Sequence, residues 1–162
     1  MSVAGITETV QYLTFKLADE IFAFDVAKVR EILEITSITK VPQTPDFMRG
    51  VINLRGGVVP VIDLKLNFGM QRTEQTINTC IIVVEVNLSG DGIVLGVLAD
   101  SVQEVVDMEP ENIEPAPKLG TKLNTEFIKG MGKVGESFVM ILDIDKVFSA
   151  AELTELQGGA EQ

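Results

Sequence analysis

Residues 47–68 of this chain resemble residues 127–148 position by position, with no gap between them. Upstream of both segments, a Val-x-Glu motif and then an Ile-x-x-x-Pro motif recur in the same order, so that residues 29–33 align with 102–106 and residues 38–42 with 113–117. Such a repeated order predicts two similar small subdomains, because each copy carries the same succession of strands and turns. The identical residues are Phe47 and Phe127, Gly50 and Gly130, Val59 and Val139, Asp63 and Asp143, and Phe68 and Phe148.

The repeat also predicts how the chain is divided. We expect residues 1–162 to form a single domain, with subdomain 1 spanning about residues 9–69 and subdomain 2 about residues 77–150. The polar residues 69–78 between the two copies are typical of a linker. Residues 157–162 are rich in glycine and polar side chains, so we expect a flexible C-terminal tail there.

Short apolar runs separated by turns dominate the rest of the pattern. Residues 10–17 and 21–24 predict a hairpin, and Gly90-Asp91-Gly92 predicts a turn before another strand. Further apolar runs cover residues 58–64, 80–84, 93–98 and 138–144. About ten short strands of this kind favour an all-β fold with short helices, built as barrels or a sandwich.

Two short helices are predicted within this β-rich pattern. Residues 26–33 place Val26, Val29 and Leu33 on one helical stripe, which Ile32 widens, and Asp25 precedes them as a suitable N-cap. A second helix is predicted near the C-terminus, over residues 144–156.

The residues that carry most enzyme chemistry are missing or scarce. The chain contains no histidine and a single cysteine, Cys80, which excludes Cys–His catalysis and thiolate zinc sites. There is no phosphate-binding loop or dinucleotide fingerprint. Asp143 and Asp145 could share a cation on one strand face, but Lys146 follows them and a solvated strand end is the favoured interpretation. We therefore predict no metal, no cofactor and no catalytic activity.

Charge and hydrophobicity limit the partners. Thirteen lysines and arginines stand against 24 aspartates and glutamates, for a net charge of −11, so nucleic acid and anionic lipid are disfavoured. The sequence has no secretion signal and no apolar stretch of about 18 residues that could cross a bilayer. Cys80 lies in an apolar run and fits a reduced compartment. We expect a cytoplasmic protein without direct membrane insertion.

Residues 50–64, Gly-Val-Ile-Asn-Leu-Arg-Gly-Gly-Val-Val-Pro-Val-Ile-Asp-Leu, resemble the signature of the CheW family. The flanking residues 12–15, 26–33, 38–42, 113–117 and 127–130 agree in order, so the resemblance covers about residues 10–150. It implies two SH3-like five-stranded β-barrels. It also implies a non-enzymatic chemotaxis adaptor that couples the cytoplasmic tips of methyl-accepting receptors to the regulatory domain of the histidine kinase CheA. Protein contacts would then recruit the adaptor to membrane receptor arrays.

The resemblance also implies contact residues. The candidates for receptor binding are Val29, Glu31, Ile32, Arg55, Gly96 and Val105. The candidates for kinase binding are Glu114, Lys118 and Leu119, although Glu114 replaces a basic residue of some relatives. Each has a structural alternative: Val29 could face the core, Arg55 could pair with a nearby carboxylate, and Gly96 could serve backbone geometry.

Two other functions remain open at this point. One is a CheW-like adaptor of a paralogous pathway, such as pilus motility or another receptor–kinase system. The other is a hydrolase or ligand-binding barrel, against which the missing histidine and the lack of a convergent polar set both count.

Overall fold

The structure, a computed structural model, describes residues 8–88, 90–115 and 127–147. These ranges contain eleven strands and two short α-helices. The strands are β1 (Val10–Leu17), β2 (Glu20–Asp25), β3 (Val29–Glu34), β4 (Met48–Leu54), β5 (Gly57–Ile62), β6 (Cys80–Leu88), β7 (Asp91–Ala99), β8 (Ser101–Met108), β9 (Ile113–Glu114), β10 (Ile128–Val134) and β11 (Ser137–Leu142). The helices are α1 (Leu64–Asn67) and α2 (Ile144–Val147).

The strands form two sheets of matching design. One has the order β3-β6-β7-β5-β4, and the other has the order β8-β1-β2-β11-β10-β9. The alignment of residues 47–68 with 127–148 places the bounds of β4, β5 and α1 exactly on those of β10, β11 and α2. The sequence repeat is therefore also a structural repeat, in which β3 corresponds to β8 and the hairpin β6–β7 corresponds to β1–β2.

The two copies exchange their opening hairpins. The hairpin β1–β2 precedes the first copy but lies in the sheet of β8, β10 and β11, whereas β6–β7 lies beside β3 and β5. Parallel pairing between β5 and β7, and between β11 and β2, completes the exchange. The expected division at residues 69–77 thus separates the sequence repeats, but each sheet takes strands from both sides of it.

Each sheet closes into a barrel in the same way. β3 and β4 are the two edges of the first sheet, and the chain that leaves β3 returns to pair Thr39 with Val51 on β4. In the second sheet the chain that leaves β8 forms β9, which pairs Glu114 with Met131 on β10. Both closures occupy equivalent positions in the repeat. The expected pair of SH3-like barrels is confirmed.

Three apolar clusters fill this architecture. One lies inside the first barrel and includes Ile52, Val61 and Ile81. A second lies inside the other barrel, around Tyr12 and Ile141. The third and largest takes residues from both sheets and from α1 and α2, so we call it the inter-barrel core. Because both faces of β1, β2, β6 and β7 are buried along much of their length, most of their residues are apolar.

The predicted helix over residues 26–33 is wrong. Asp25 does act as an N-cap, accepting a hydrogen bond from the Ala27 backbone N–H at 2.9 Å, but it caps only a single 3-10 turn at Val26–Lys28. β3 follows at once and pairs with β6, with a register shift between Val29 and Glu31. This bulge inserts one residue into the alternation of apolar side chains, and the resulting spacing imitates a helical stripe.

The segment between the two copies is fixed to the first barrel by a buried carboxylate. Asp63 is fully buried and accepts hydrogen bonds from the backbone N–H and the hydroxyl of Thr73, at 2.9 and 2.8 Å. It also pairs with Arg49 at 3.2 Å and caps α1 through the Lys65 backbone N–H. Residues 69–78 were expected to be a linker, and this network holds their middle in place.

The second predicted helix, over residues 144–156, is described only for α2, and its remainder lies outside the described residues. The expected tail at 157–162 also lies outside them. In the part of the chain that the structure describes, no helix has the length and hydrophobicity to span a membrane.

Candidate functional site

An arginine projects from the tight turn between β4 and β5 and binds a carboxylate on β3. Arg55 adopts a left-handed backbone conformation with φ of 52°, and the side chain of Asn53 supports the turn by accepting from the Gly56 N–H at 3.0 Å. Its Nη1 lies 2.7 Å from Oε2 of Glu31, and its Nη2 donates to Oε1 at 3.1 Å. Two parallel contacts of this kind fix the direction of an otherwise free guanidinium.

The electrostatics of this pair favour the charged arginine. The Arg55 side chain is 73% exposed and that of Glu31 is 25% exposed. The hydrogen bond from Arg55 to Glu31, and secondly the charge of Glu31, raise the pKa of Arg55 above its usual range. The structural alternative for Arg55, a nearby carboxylate partner, is therefore present, while most of the guanidinium remains accessible to a binding partner.

Two exposed apolar side chains lie at equivalent places on the two barrels. Ile32 on β3 is 44% exposed and Val105 on β8 is 52% exposed, and the alignment of residues 29–33 with 102–106 relates them. Ile32 pairs with Ile82, and Val105 pairs with Leu13. Since Ile82 and Leu13 both belong to the inter-barrel core, Ile32 and Val105 emerge on the face of each sheet that borders this core.

Val29 occupies an intermediate position. Its side chain is half-buried, packs against the inter-barrel core and lies at the bulge of β3 opposite Val84. Both interpretations of this residue thus hold in part, since it contributes to packing and still reaches the surface near Glu31.

Gly96 is not placed for contact with a partner. It is buried on β7, where β5 pairs with it in parallel through Val61. A Cβ at this position would come within 2.8 Å of Cγ2 of Ile81, inside the first barrel. The equivalent residue of the other barrel, Ala23, is also small and fully buried. Dense packing between β5 and β6 therefore explains the glycine, and we remove it from the candidate surface.

The kinase-binding candidates are only partly described. Glu114 is exposed on β9, opposite Met131. Lys118 and Leu119 lie outside the described residues.

Two ion pairs connect elements of the two barrels, and neither was predicted from the sequence. Lys65 on α1 pairs with Asp100 at 3.2 Å, and Asp100 also accepts the Ala18 backbone N–H at 2.6 Å. Asp145 on α2 pairs with Lys28 at 3.2 Å and accepts the Asn87 N–H at 2.8 Å. Positions 65 and 145 are equivalent in the repeat but opposite in charge. This difference was the one feature of the sequence that could have indicated the ion pairs.

Asp143 and Asp145 were expected on one strand face, but the structure places them at the start of α2. Both carboxylate oxygens of Asp145 already have a partner, and Asp143 accepts the Lys146 N–H as the cap of α2. Within residues 8–88, 90–115 and 127–147, no three potential ligands come together in a way that would hold a metal ion. The features of the candidate site are instead exposed apolar side chains and the oriented guanidinium of Arg55, which suit the recognition of another protein.

Comparison with known proteins gives a consistent result. The model of the CheW-like domain family matches residues 11–152. The chemotaxis protein CheW of Klebsiella aerogenes is 37% identical over 151 residues, covering 93% of this chain and 89% of that protein. The chemotaxis protein CheW of Thermotoga maritima is 31% identical over 161 residues, covering 97% and 98%.

A solved structure agrees with the sequence comparisons. The crystal structure of the scaffolding protein TtCheW from Thermoanaerobacter tengcongensis superposes with a TM-score of 0.78 at 34% identity, covering 92% of this chain and 94% of that one. With the family model matching most of its length and relatives above 30% identity aligned nearly end to end, this chain belongs to the CheW-like family.

Proposed function

We propose that this chain is a non-enzymatic chemotaxis scaffold that couples methyl-accepting receptors to a CheA-type histidine kinase. The observation that carries the proposal is the equivalent placement of Ile32 and Val105, two exposed apolar side chains that border the inter-barrel core. Family membership supplies the class of partner, since the curated relatives are named chemotaxis proteins and the solved relative is named a scaffolding protein.

The receptor contact is proposed along the surface of β3 and β8. A helix of the receptor tip can pack its apolar face on Ile32, Val105 and the exposed part of Val29, in the manner of helix-in-groove recognition. Arg55 stands beside β3, held there by Glu31, and can donate to carbonyl or carboxylate oxygens of the receptor. In this arrangement the apolar surface contributes affinity for the receptor helix, and the oriented charge of Arg55 sets the position of that helix along the surface.

The kinase contact is proposed at the end of a barrel. Val58 and Phe138 occupy equivalent positions on β5 and β11, beside the tight turns, and are 72% and 51% exposed. A regulatory domain built from similar barrels could meet such an end with a matching surface. The family resemblance adds Glu114, Lys118 and Leu119 to the candidate contacts, and a small interface of this type would bind weakly.

The place of action follows from these partners. We propose that the protein works in the cytoplasm, where its contacts with receptors recruit it to membrane arrays. Its net charge of −11 disfavours direct attraction to anionic lipid.

Reconstitution tests the proposal. Purified chain is mixed with a CheA-type kinase and receptor cytoplasmic fragments from the same cell, and kinase autophosphorylation is followed with labelled ATP. We expect the chain to raise kinase activity only when receptor is present, and to turn over no ATP alone.

Leu119→Asp should weaken kinase binding and activation while receptor binding persists. ATP turnover by the repurified chain alone would contradict the scaffold role, and full activation by Leu119→Asp would contradict the kinase contact at that residue.

A further inference from the structure

A cleft on the first barrel lies apart from every residue assigned above. Its volume is about 670 Å³, and it runs between residues 40–46, the start of β4 and residue 72 of the segment that joins the two copies. None of the candidate receptor or kinase residues lines it. The cleft is therefore a separate feature of the surface.

Positive side chains are concentrated in this cleft. Lys40, Arg49 and Arg72 line it, against one acidic residue, Asp46. The whole chain has only 13 lysines and arginines and a net charge of −11, so the positive charge of the cleft contrasts with the charge of the chain as a whole. Lys40 and Arg72 are exposed, and neither forms an ion pair with any residue within the described ranges.

Arg49 gives the cleft a fixed basic group. Its Nη1 donates to Asp63 at 3.2 Å and to the Thr73 carbonyl at 2.9 Å, and only 11% of its side chain is exposed. Its Nη2 and Nε donate to no described residue. Asp63 and Thr73 thus position the guanidinium while leaving hydrogen-bond donors for a ligand. The same network fixes the segment that carries Arg72.

Local contacts and two prolines restrict the backbone of the opposite wall. Residues 40–46 contain Pro42 and Pro45, which restrict the backbone. Between them Gln43 holds a left-handed φ of 62°, and Thr44 donates from its hydroxyl to the Val41 carbonyl at 2.9 Å. A preformed wall lowers the entropy lost on binding.

We propose that this cleft binds a short acidic peptide segment of a partner protein, one that also carries apolar side chains. The basic groups provide charge complementarity to carboxylates, and Val41, Met48 and Leu66 provide the apolar contacts that a peptide can use and a free anion cannot. Nucleic acid is disfavoured, because a polyanion extends beyond the cleft and meets a surface of net negative charge.

Fluorescence anisotropy tests this proposal on the whole chain. The probe is a labelled peptide of twelve residues that contains four glutamates, four leucines and four serines. The comparison peptide has glutamine in place of each glutamate. We expect the acidic peptide to bind more tightly than the glutamine peptide. Lys40→Ala/Arg72→Ala should weaken its binding about fivefold or more, from the loss of two exposed charge contacts.

Two further variants separate the cleft from general electrostatics. Lys133→Ala/Lys146→Ala removes two exposed lysines elsewhere and should leave peptide affinity unchanged. Asp46→Asn removes the acidic residue of the cleft and should strengthen binding. Equal weakening by both double variants, equal binding of the two peptides, no binding of the acidic peptide, or preference for a single-stranded oligonucleotide would each overturn the proposal. Circular dichroism of each variant confirms that it is folded.

Discussion

Arg55 and Glu31 lie on different structural elements, yet both Nη atoms of the arginine reach both oxygens of the glutamate. The pair joins the β4–β5 turn to β3, the strand that carries Ile32. An exposed arginine usually samples many rotamers, and this contact limits Arg55 to a position beside the proposed receptor surface. The positions of the β4–β5 turn and of β3 in the barrel therefore determine where the Arg55 guanidinium points.

Arg55→Ala is expected to weaken receptor binding roughly tenfold or more, the size of one lost charge-assisted hydrogen bond. The melting temperature should barely change, because the side chain is largely exposed. Titration with a receptor-tip fragment and thermal denaturation measure the two effects. Lys133→Ala, an exposed change on the other barrel, is the matched control. A large drop in melting temperature with unchanged affinity would show that the residue is structural.

Ile32→Ser and Val105→Ser test the apolar part of the same surface. Each side chain is about half exposed, so its loss should cost little stability but should weaken receptor binding roughly fivefold, as expected when a partner buries the remaining apolar area. Ile77→Ser is the control, since Ile77 is an equally apolar residue that is 99% exposed and lies outside the proposed surface. Calorimetric titration with the receptor fragment measures the affinities. If Ile77→Ser weakens binding as much as the other two changes, the surface is wrongly assigned.

Asp63→Ala is expected to lower the free energy of unfolding by about 3 kcal/mol or more, because it leaves the mostly buried Arg49 without its carboxylate partner and removes both acceptors of Thr73. The repeat provides a matched control in Asp143→Ala. Asp143 is only half-buried, and in the described residues its carboxylate accepts only the Lys146 N–H, so a loss of about 1 kcal/mol is expected. Urea denaturation compares the two, and equal losses would contradict the anchoring role of Asp63.

Tyr12 should titrate at higher pH than a free tyrosine. Burial, and secondly the nearby charge of Asp25, raise its pKa above the ordinary value of 10.0. Above pH 10 the unfolded chain therefore loses this proton before the folded chain does, so stability present below pH 10 falls as the pH rises towards the folded-state pKa. Tyr12→Phe should flatten this alkaline loss.

Direct titration provides the check. Tyr12 is the single tyrosine and the chain has no tryptophan, so the ultraviolet absorbance of tyrosinate reports on Tyr12 alone. A folded-state midpoint at or below 10.0 would contradict the prediction.

Much of the fold could be read from local patterns. The resemblance of residues 47–68 to 127–148 predicted two similar barrels, and β4, β5 and α1 recur as β10, β11 and α2 under that same alignment. The first hairpin and the cap at Asp25 were also predictable, because turns and caps depend on residues close together in the chain. Arg55 and Ile32 entered the candidate site through the family resemblance. The place of Arg55 after an apolar strand and before two glycines also predicted that its side chain emerges from a turn, whereas Ile32 was assigned to a helical stripe and its exposure on a strand was not predicted.

The amino-acid sequence by itself determined that this protein has two related barrels, no histidine chemistry and an acidic surface. The tertiary structure alone decided that residues 29–34 are a strand, since pairing with β6 and a bulge at Val29 override a helical spacing. It also decided which hairpin joins which barrel. Two similar hairpins present similar apolar faces to either sheet, so their exchange depends on contacts between residues far apart in the chain, which no local pattern records.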